Sequence, residues 1–205
     1  MIRLDNRLAA AASLVRPEKS VCDVGTDHAL LPCYLWQKGA RRVIASDIND
    51  GPLEAAAETV NKYNCKGIEL IKSDGLESVP PCDDIIIAGM GGELISRIIS
   101  GCSFITPDTR LILQPMTKAE ELRRWLLENG FEIILEKGAF AAGKAYSVIY
   151  SRYTGEKRTC DDNFAYFGKS EDEAYIKSVN ARLKKLSKGN PVLKEIIREE
   201  YENDC

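Results

Sequence analysis

The chain has 205 residues, with 28 Lys and Arg against 31 Asp and Glu, one His, and a formal net charge of −3. With 44% hydrophobic residues it has ample material for a packed core, which excludes wholesale disorder. No apolar stretch approaches the ~20 residues of a membrane span, and the mild acidity argues against a general, charge-driven affinity for nucleic acid.

Leu4 to Val15 reads as a helix, with Leu4, Leu8, Ala11, Ala12 and Val15 at helical spacing and Pro17 ending it. Short β-branched runs then alternate with helical patterns. Ser20–Val24 is a strand closed by Gly25, and Leu30–Lys38 a helix starting around Pro32. Arg42–Ile48 is the second strand and Pro52–Tyr63 the second crossover helix; Ile68–Lys72 is the third strand. Asp84–Ala88 is the fourth, followed by Gly89-Met90-Gly91-Gly92 and the helix Glu93–Ser100. Arg110–Leu113 is the fifth, ending in Gln114-Pro115, and the helix Lys118–Glu128 closes at Asn129-Gly130. Phe131–Glu136 and Ala145–Tyr153 form two strands joined by a short turn containing glycine. Strand–helix units ending in a hairpin predict an α/β fold: a seven-stranded, mostly parallel sheet covered on both faces, with an antiparallel strand near one edge. Past Thr154, a polar stretch to Asp162 reads as a linker. A helix Ser170–Ser187 follows, with an a/d seam at Ile176, Val179, Leu183 and Leu186, and then a helix from Val192 to about Glu202. These predict a small helical, coiled-coil hairpin over 155–205, docked on a main domain over 1–154.

The seven cysteines are scattered with no C-x-x-C pair, so reduced thiols are expected rather than a disulfide framework or a zinc site, and no metal is expected. Charges run through Met1-Ile2-Arg3-Leu4-Asp5-Asn6-Arg7, which argues against a signal peptide and for a cytoplasmic location.

In an open parallel sheet ligands bind outside the carboxyl ends of the strands. Those ends carry Asp23-Val24-Gly25-Thr26-Asp27-His28, Asp47-Ile48, Asp74-Gly75-Leu76, Gly89-Met90-Gly91-Gly92 and Gln114-Pro115-Met116. A dinucleotide needs G-x-G-x-x-G around its pyrophosphate. The first loop has one glycine, and Asp27 would repel a phosphate. S-adenosylmethionine carries a sulfonium and an ammonium, which carboxylates favour. Asp47 is placed for ribose hydroxyls and Asp74 for the adenine amino group, with the Gly75 or Leu76 amide at the ring. A loop Asp alone commonly just caps a helix, but three acids at successive strand ends are harder to dismiss.

Together the loop Asp23 to Pro32, Ser73-Asp74-Gly75-Leu76, Ala88-Gly89-Met90-Gly91-Gly92 and Leu113-Gln114-Pro115 resemble the TrmK-type bacterial tRNA (adenine-22, N1)-methyltransferases. The resemblance is strong over about residues 4 to 150 and only of type in the C-terminal helices. It implies a Rossmann-like class I methyltransferase domain plus a C-terminal coiled coil, with S-adenosylmethionine as donor, S-adenosylhomocysteine as product and tRNA as partner. Met116 departs from the Asn often found there, and the C-terminal part is shorter than usual. Cofactor contacts are then expected from Asp23, Gly25, Thr26, Asp27, His28, Asp47, Ile48, Asp74, Gly75, Leu76, Gly89 and Met90. Catalytic roles fall to Asp27, His28, Met90 and Gln114, with Gly89 and Gly91 letting a base approach the backbone. Each has an ordinary explanation too: His28 as a cap or packed residue, Met90 as core filler. Six cations and no acid lie between Ala174 and Lys194. Lys177, Lys184, Lys185 and Lys188, with Arg7, form the candidate RNA track, although a cation run is usually solvated surface. The alternatives are another RNA or small-molecule substrate, or a non-catalytic RNA-binding protein. No membrane partner and a monomer or weak dimer are expected.

Overall fold

The computed structural model describes residues 2–198. Its sheet contains β1 (Ser20–Val24), β2 (Arg42–Asp47), β3 (Ile68–Lys72), β4 (Asp84–Gly91), β5 (Arg110–Thr117), β6 (Phe131–Ala141) and β7 (Lys144–Tyr153), in the order β3-β2-β1-β4-β5-β7-β6. The first five strands pair in parallel; β7 lies antiparallel between β5 and β6. Strand order reverses between β1 and β4, which places the ligand crevice above their carboxyl ends.

Both faces of the sheet are covered. The helices α1 (Asn6–Ala12), α2 (Leu30–Gln37) and α3 (Asp50–Lys62) bring Ala11, Leu31, Leu35, Ala56 and Val60 against Val21, Val43, Ile86 and Ile112. On the other face α4 (Gly92–Ser100) and α5 (Ala119–Glu128) bring Ile95, Ile99, Leu122 and Leu126 against Ile44, Ile85, Ile87, Leu111 and Leu113. Successive strand residues thus serve opposite cores, which is why Ile85-Ile86-Ile87 and Leu111-Ile112-Leu113 are unbroken apolar runs.

Several boundaries differ from the sequence pattern. The first helix is shorter than Leu4–Val15, because Asp5 caps it by accepting from the Leu8 N–H at 2.9 Å. Strands β4 and β5 run past Ala88 and Leu113 because their ends keep pairing through an irregular register at Met90 and Gly91. The hairpin is longer too: Lys137 to Ala141 pair with Lys144 to Val148 instead of forming the turn. The polar stretch after Thr154 is no free linker, since the Thr154 N–H bonds Gly130 O at 2.8 Å and the Arg158 N–H bonds Leu127 O at 2.9 Å. Just beyond it lies a helix that the periodicity did not reveal, α6 (Asp162–Phe167), whose N-cap Asp161 accepts from the Phe164 N–H. The long C-terminal helix is α7 (Glu173–Leu186), begun by Asp172 accepting from the Tyr175 N–H. Within the described residues the second helix expected over Val192–Glu202 is a single 3₁₀ turn, Pro191–Lys194; 199–202 lie outside them.

The C-terminal part is helical and anchored on the sheet. Tyr175, Val179 and Leu183 are buried with Phe167 and Leu193. Arg123, fully buried on α5, donates to both Glu136 carboxylate oxygens (2.9 and 2.7 Å), to Ala165 O and Tyr166 O (2.8 and 3.0 Å) and to the Tyr175 hydroxyl (2.8 Å). One guanidinium therefore joins α5, β6, α6 and α7. Arg182 on α7 adds an ion pair to Glu120. Removing one partner of a buried pair leaves the other charge unsatisfied. Arg123→Ala is expected to lower stability by about 3–5 kcal/mol in urea unfolding; a loss below about 1 kcal/mol would show that this junction is not an anchor.

Candidate active site

The crest of the sheet collects the acids. Asp23, near the end of β1, is buried, and burial pushes its carboxyl from the usual 3.8 up to about 6, partly offset by a hydrogen bond from Thr26. The N–H groups of Gly25 and Thr26 both donate to Ser46 O, at 2.8 and 2.9 Å, folding the loop over β2. Gly25 has φ +75°, and a side chain there would meet the Met90 methyl at 2.1 Å. Met90 therefore lies across the first loop while also packing on the core shared with α4 and α5. Its packing role is real and does not exclude a place at the site wall.

Asp27 and His28 stand at the rim with side chains 81% and 58% exposed and His28 Nε2 3.4 Å from Asp27 Oδ2. His28 is neither packed nor a cap, since α2 starts from Ala29 without a side-chain cap. Asp47 ends β2; one of its oxygens accepts from the Asn49 N–H at 2.8 Å, and Ile48 beside it is exposed. The Ser73 N–H bonds Asp47 O at 2.9 Å, bringing the end of β3 alongside, where Asp74 is exposed. Gly75 has φ +56°, and the Leu76 side chain is buried in the core, so it is not available to a ligand. The structure thus gathers Asp23, Asp47 and Asp74 at the carboxyl ends of three neighbouring strands, an adjacency that the sequence pattern alone does not encode.

Gln114 needs correction as a catalytic group. It is fully buried, and its Oε1 accepts from Arg7 Nη1 (2.7 Å) and the Gly89 N–H (3.1 Å), while Nε2 donates to Pro115 O (3.1 Å) and approaches Met116 Sδ (3.6 Å). An amide engaged at both ends is a brace between the carboxyl ends of β4 and β5, with nothing left for a substrate. Gly89, with φ +84°, is exposed. Gly92, not singled out in the sequence, is required instead by packing, because a side chain there would lie 2.3 Å from Lys118 O.

Arg7 is corrected as well: its guanidinium turns inward to Gln114 and Asp5 instead of extending the cation track. Lys177, Lys184, Lys185 and Lys188 are exposed on or just after α7 and form no ion pair among the described residues. By helical spacing Lys177, Lys184 and Lys188 point away from the buried Tyr175, Val179 and Leu183. The side of α7 nearest the crest carries Ser178 and Arg182, which with Met116, Thr117, Lys144 and Tyr146 line a groove of 210 Å³. No local pattern signals this groove, because it depends on how α7 docks. Among the described residues no group of His, Cys, Asp and Glu is arranged to hold a metal.

Donor chemistry decides what the crest accepts. A buried carboxylate on β1, with further acids at the ends of β2 and β3 on one side of it, above a loop with one glycine, disfavours a pyrophosphate and fits a cationic nucleoside such as S-adenosylmethionine. The ionised Asp23 is a cost in the free protein. Its folded pKa lies above the unfolded value, so the penalty builds up as pH rises from about 4 to about 6 and amounts to about 3 kcal/mol above that. Asp23→Asn is therefore expected to be the more stable protein at pH 7.5, by up to about 3 kcal/mol, with the advantage gone near pH 4. Urea unfolding at the two pH values checks this; the same difference at both would contradict it.

A family model described as a methyltransferase domain matches residues 4–149. The Bacillus subtilis tRNA (adenine(22)-N(1))-methyltransferase is 37% identical over 153 residues, taking in 72% of this chain but 64% of that protein, less than two thirds of its length. A Streptococcus pneumoniae structure in complex with S-adenosyl-L-methionine superposes with a TM-score of 0.82 at 30% identity, over 95% of this chain and 96% of that one. The M. capricolum TrmK structure in complex with S-adenosyl-homocysteine gives 0.79 at 26% identity, over 94% and 92%. With the sheet order, the crevice and its acids in place, this chain belongs to the methyltransferase-domain family.

Proposed function

We propose that the chain transfers a methyl group from S-adenosylmethionine to N1 of the adenine at position 22 of tRNA. The observation that carries the donor is the set of acids Asp23, Asp47 and Asp74 on three adjacent strand ends, with Asp23 kept out of water. The acceptor rests on the names of the similar proteins and on the exposed lysines of α7. Residues 1–154 form the methyltransferase domain in this reading, and 155–205 its helical appendage. A cytoplasmic enzyme acting as a monomer or weak dimer goes with it. Among the described residues the six cysteines are free thiols, and among them no helix is long and apolar enough to cross a membrane.

S-adenosylmethionine supplies the electrophilic methyl and leaves as S-adenosylhomocysteine. Asp23 would hold the ammonium end, Asp47 the ribose hydroxyls, Asp74 the adenine amino group, and Gly75 or Leu76 amides the ring. Adenine N1 already has an in-plane lone pair, so displacement needs no strong base. What the protein must add is position, together with negative charge where the ring becomes cationic. Asp27 is suited to that, exposed beside the first loop and paired with His28. Gly89 offers a bare backbone at the opposite lip, with Met90 between it and Gly25. The N1 edge of a paired base is hidden, so it must be unstacked at a cost of a few kcal/mol. Contacts from the α7 lysines to phosphates would offset that, and the groove between Met116, Lys144 and Arg182 leads from α7 to the crest.

Primer extension on tRNA treated with the protein and S-adenosylmethionine is expected to stop at adenine 22 and to read through when that base is replaced; a stop elsewhere, or none, would refute the acceptor. Asp47→Ala should weaken S-adenosylmethionine binding in calorimetry by about 1–3 kcal/mol with the fold intact, as expected for a lost charged acceptor. Unchanged affinity would remove Asp47 from the ribose. Changing Lys177, Lys184 and Lys188 to Glu should raise KM for tRNA, flatten its salt dependence by roughly 0.7–0.9 per lost phosphate contact, and spare cofactor affinity. If KM and salt slope do not move, those lysines are solvated surface.

A further inference from the structure

Arg7 lies on the first helix, 107 residues from Gln114, yet it reaches the centre of the crest. Its Nη1 donates to Gln114 Oε1 at 2.7 Å and passes 3.8 Å from Met116 Sδ. Independently, that same nitrogen is 3.6 Å from the point where a side chain on Gly89 would project. The guanidinium is held in place from its other side, with Nη2 3.0 Å from Asp5 Oδ2 and the group 5.9 Å from the centre of the Tyr146 ring. Asp5 is the residue that caps α1, so the start of that helix and the aim of Arg7 are set together.

The chemistry of these groups gives the contact a direction. Gln114 has an oxygen that only accepts and a nitrogen that only donates, and it is fully buried, out of contact with bulk solvent. Arg7 can only donate. It therefore forces the oxygen of Gln114 toward itself, and the same oxygen then accepts from the Gly89 N–H at 3.1 Å. Were the amide turned over, the nitrogen would oppose both N–H groups. The nitrogen is free instead to donate to Pro115 O at 3.1 Å. The irregular carboxyl ends of β4 and β5 are thus joined through one amide whose orientation Arg7 fixes together with the Gly89 N–H and Pro115 O.

We propose that Arg7 is a positioning residue for methyl transfer, acting through Gln114 to lock the Gly89 lip against the Pro115–Met116 lip. This rests on the methyltransferase reading above, since those lips are where the target base is placed. It also differs from a direct RNA contact, which would act on tRNA affinity and not through Gln114.

The test is a double-mutant cycle on the full chain with Arg7→Ala, Gln114→Ala and both, plus Arg7→Lys as a milder variant. Methylation of tRNA and the hydrogen exchange of the Gly89 amide are the readouts. Arg7→Ala is expected to lower kcat at least about tenfold, in the range that small misplacements at a reacting centre produce, with KM for tRNA and affinity for S-adenosylmethionine within about twofold. The double variant should be no worse than Gln114→Ala, Arg7→Lys should recover part of kcat, and Gly89 exchange should quicken in Arg7→Ala. Additive losses, or an Arg7→Ala effect confined to KM for tRNA, would overturn the proposal. Unchanged Gly89 exchange in Arg7→Ala would overturn it whatever the acceptor. A wild-type protein that leaves tRNA unmethylated refutes the acceptor reading separately, and the exchange comparison still decides the coupling.

Discussion

A carboxylate withdrawn from water with a hydroxyl for a partner is costly, and the upper edge of this sheet is organised around one. Asp23 sits beside the point where strand order reverses, and burial moves its ionisation up toward neutrality. Such a group destabilises the free protein at working pH, which makes sense at a place where a positive ligand arrives. The single-glycine loop, the backbone bonds to Ser46 O and the side chain of Met90 over Gly25 all hold that carboxylate at the floor of the crevice. Asp47 and Asp74 extend the same sign of charge along the next two strands.

Around that floor the structure uses polar groups for two other purposes. Gln114 and Arg7 brace the lips of the crevice through one buried amide. Arg123 and Glu136, with Tyr175 and two backbone carbonyls, fix the C-terminal helix to the sheet. These are not interchangeable with the surface lysines of α7, which have no such partners among the described residues. A buried guanidinium with every donor engaged specifies a geometry; an exposed lysine contributes charge that salt can screen.

Most of the sheet was legible in the sequence because strands buried on both sides have a plain signature. Ile85-Ile86-Ile87 and Leu111-Ile112-Leu113 could hardly be anything else, and the acids at the strand ends follow once the topology is granted. The spatial order of the strands was not legible, since nothing local encodes it. Nor were the interactions that cross long stretches of chain: the inward turn of Arg7, the engagement of Gln114, the pairing of Arg182 with Glu120. Charge patterning counts Arg7 and Arg182 as surface cations, and only the fold shows a partner waiting for each. The helix α6 escaped for another reason: six residues give too few turns for a periodic signal, and its one clue was the capping Asp161.

Asp23 as the counter-charge for a cationic ligand can be read directly by proton linkage. If the carboxyl ionises near pH 6 in the free protein, S-adenosylmethionine should bind more weakly at pH 5 than at pH 7, and binding at pH 6 should release about half a proton from this group. Calorimetric titration in buffers of different ionisation enthalpy measures both quantities. Affinity rising through this window with proton release at pH 6 is the expected result; a pH-independent affinity with no proton released would contradict the account.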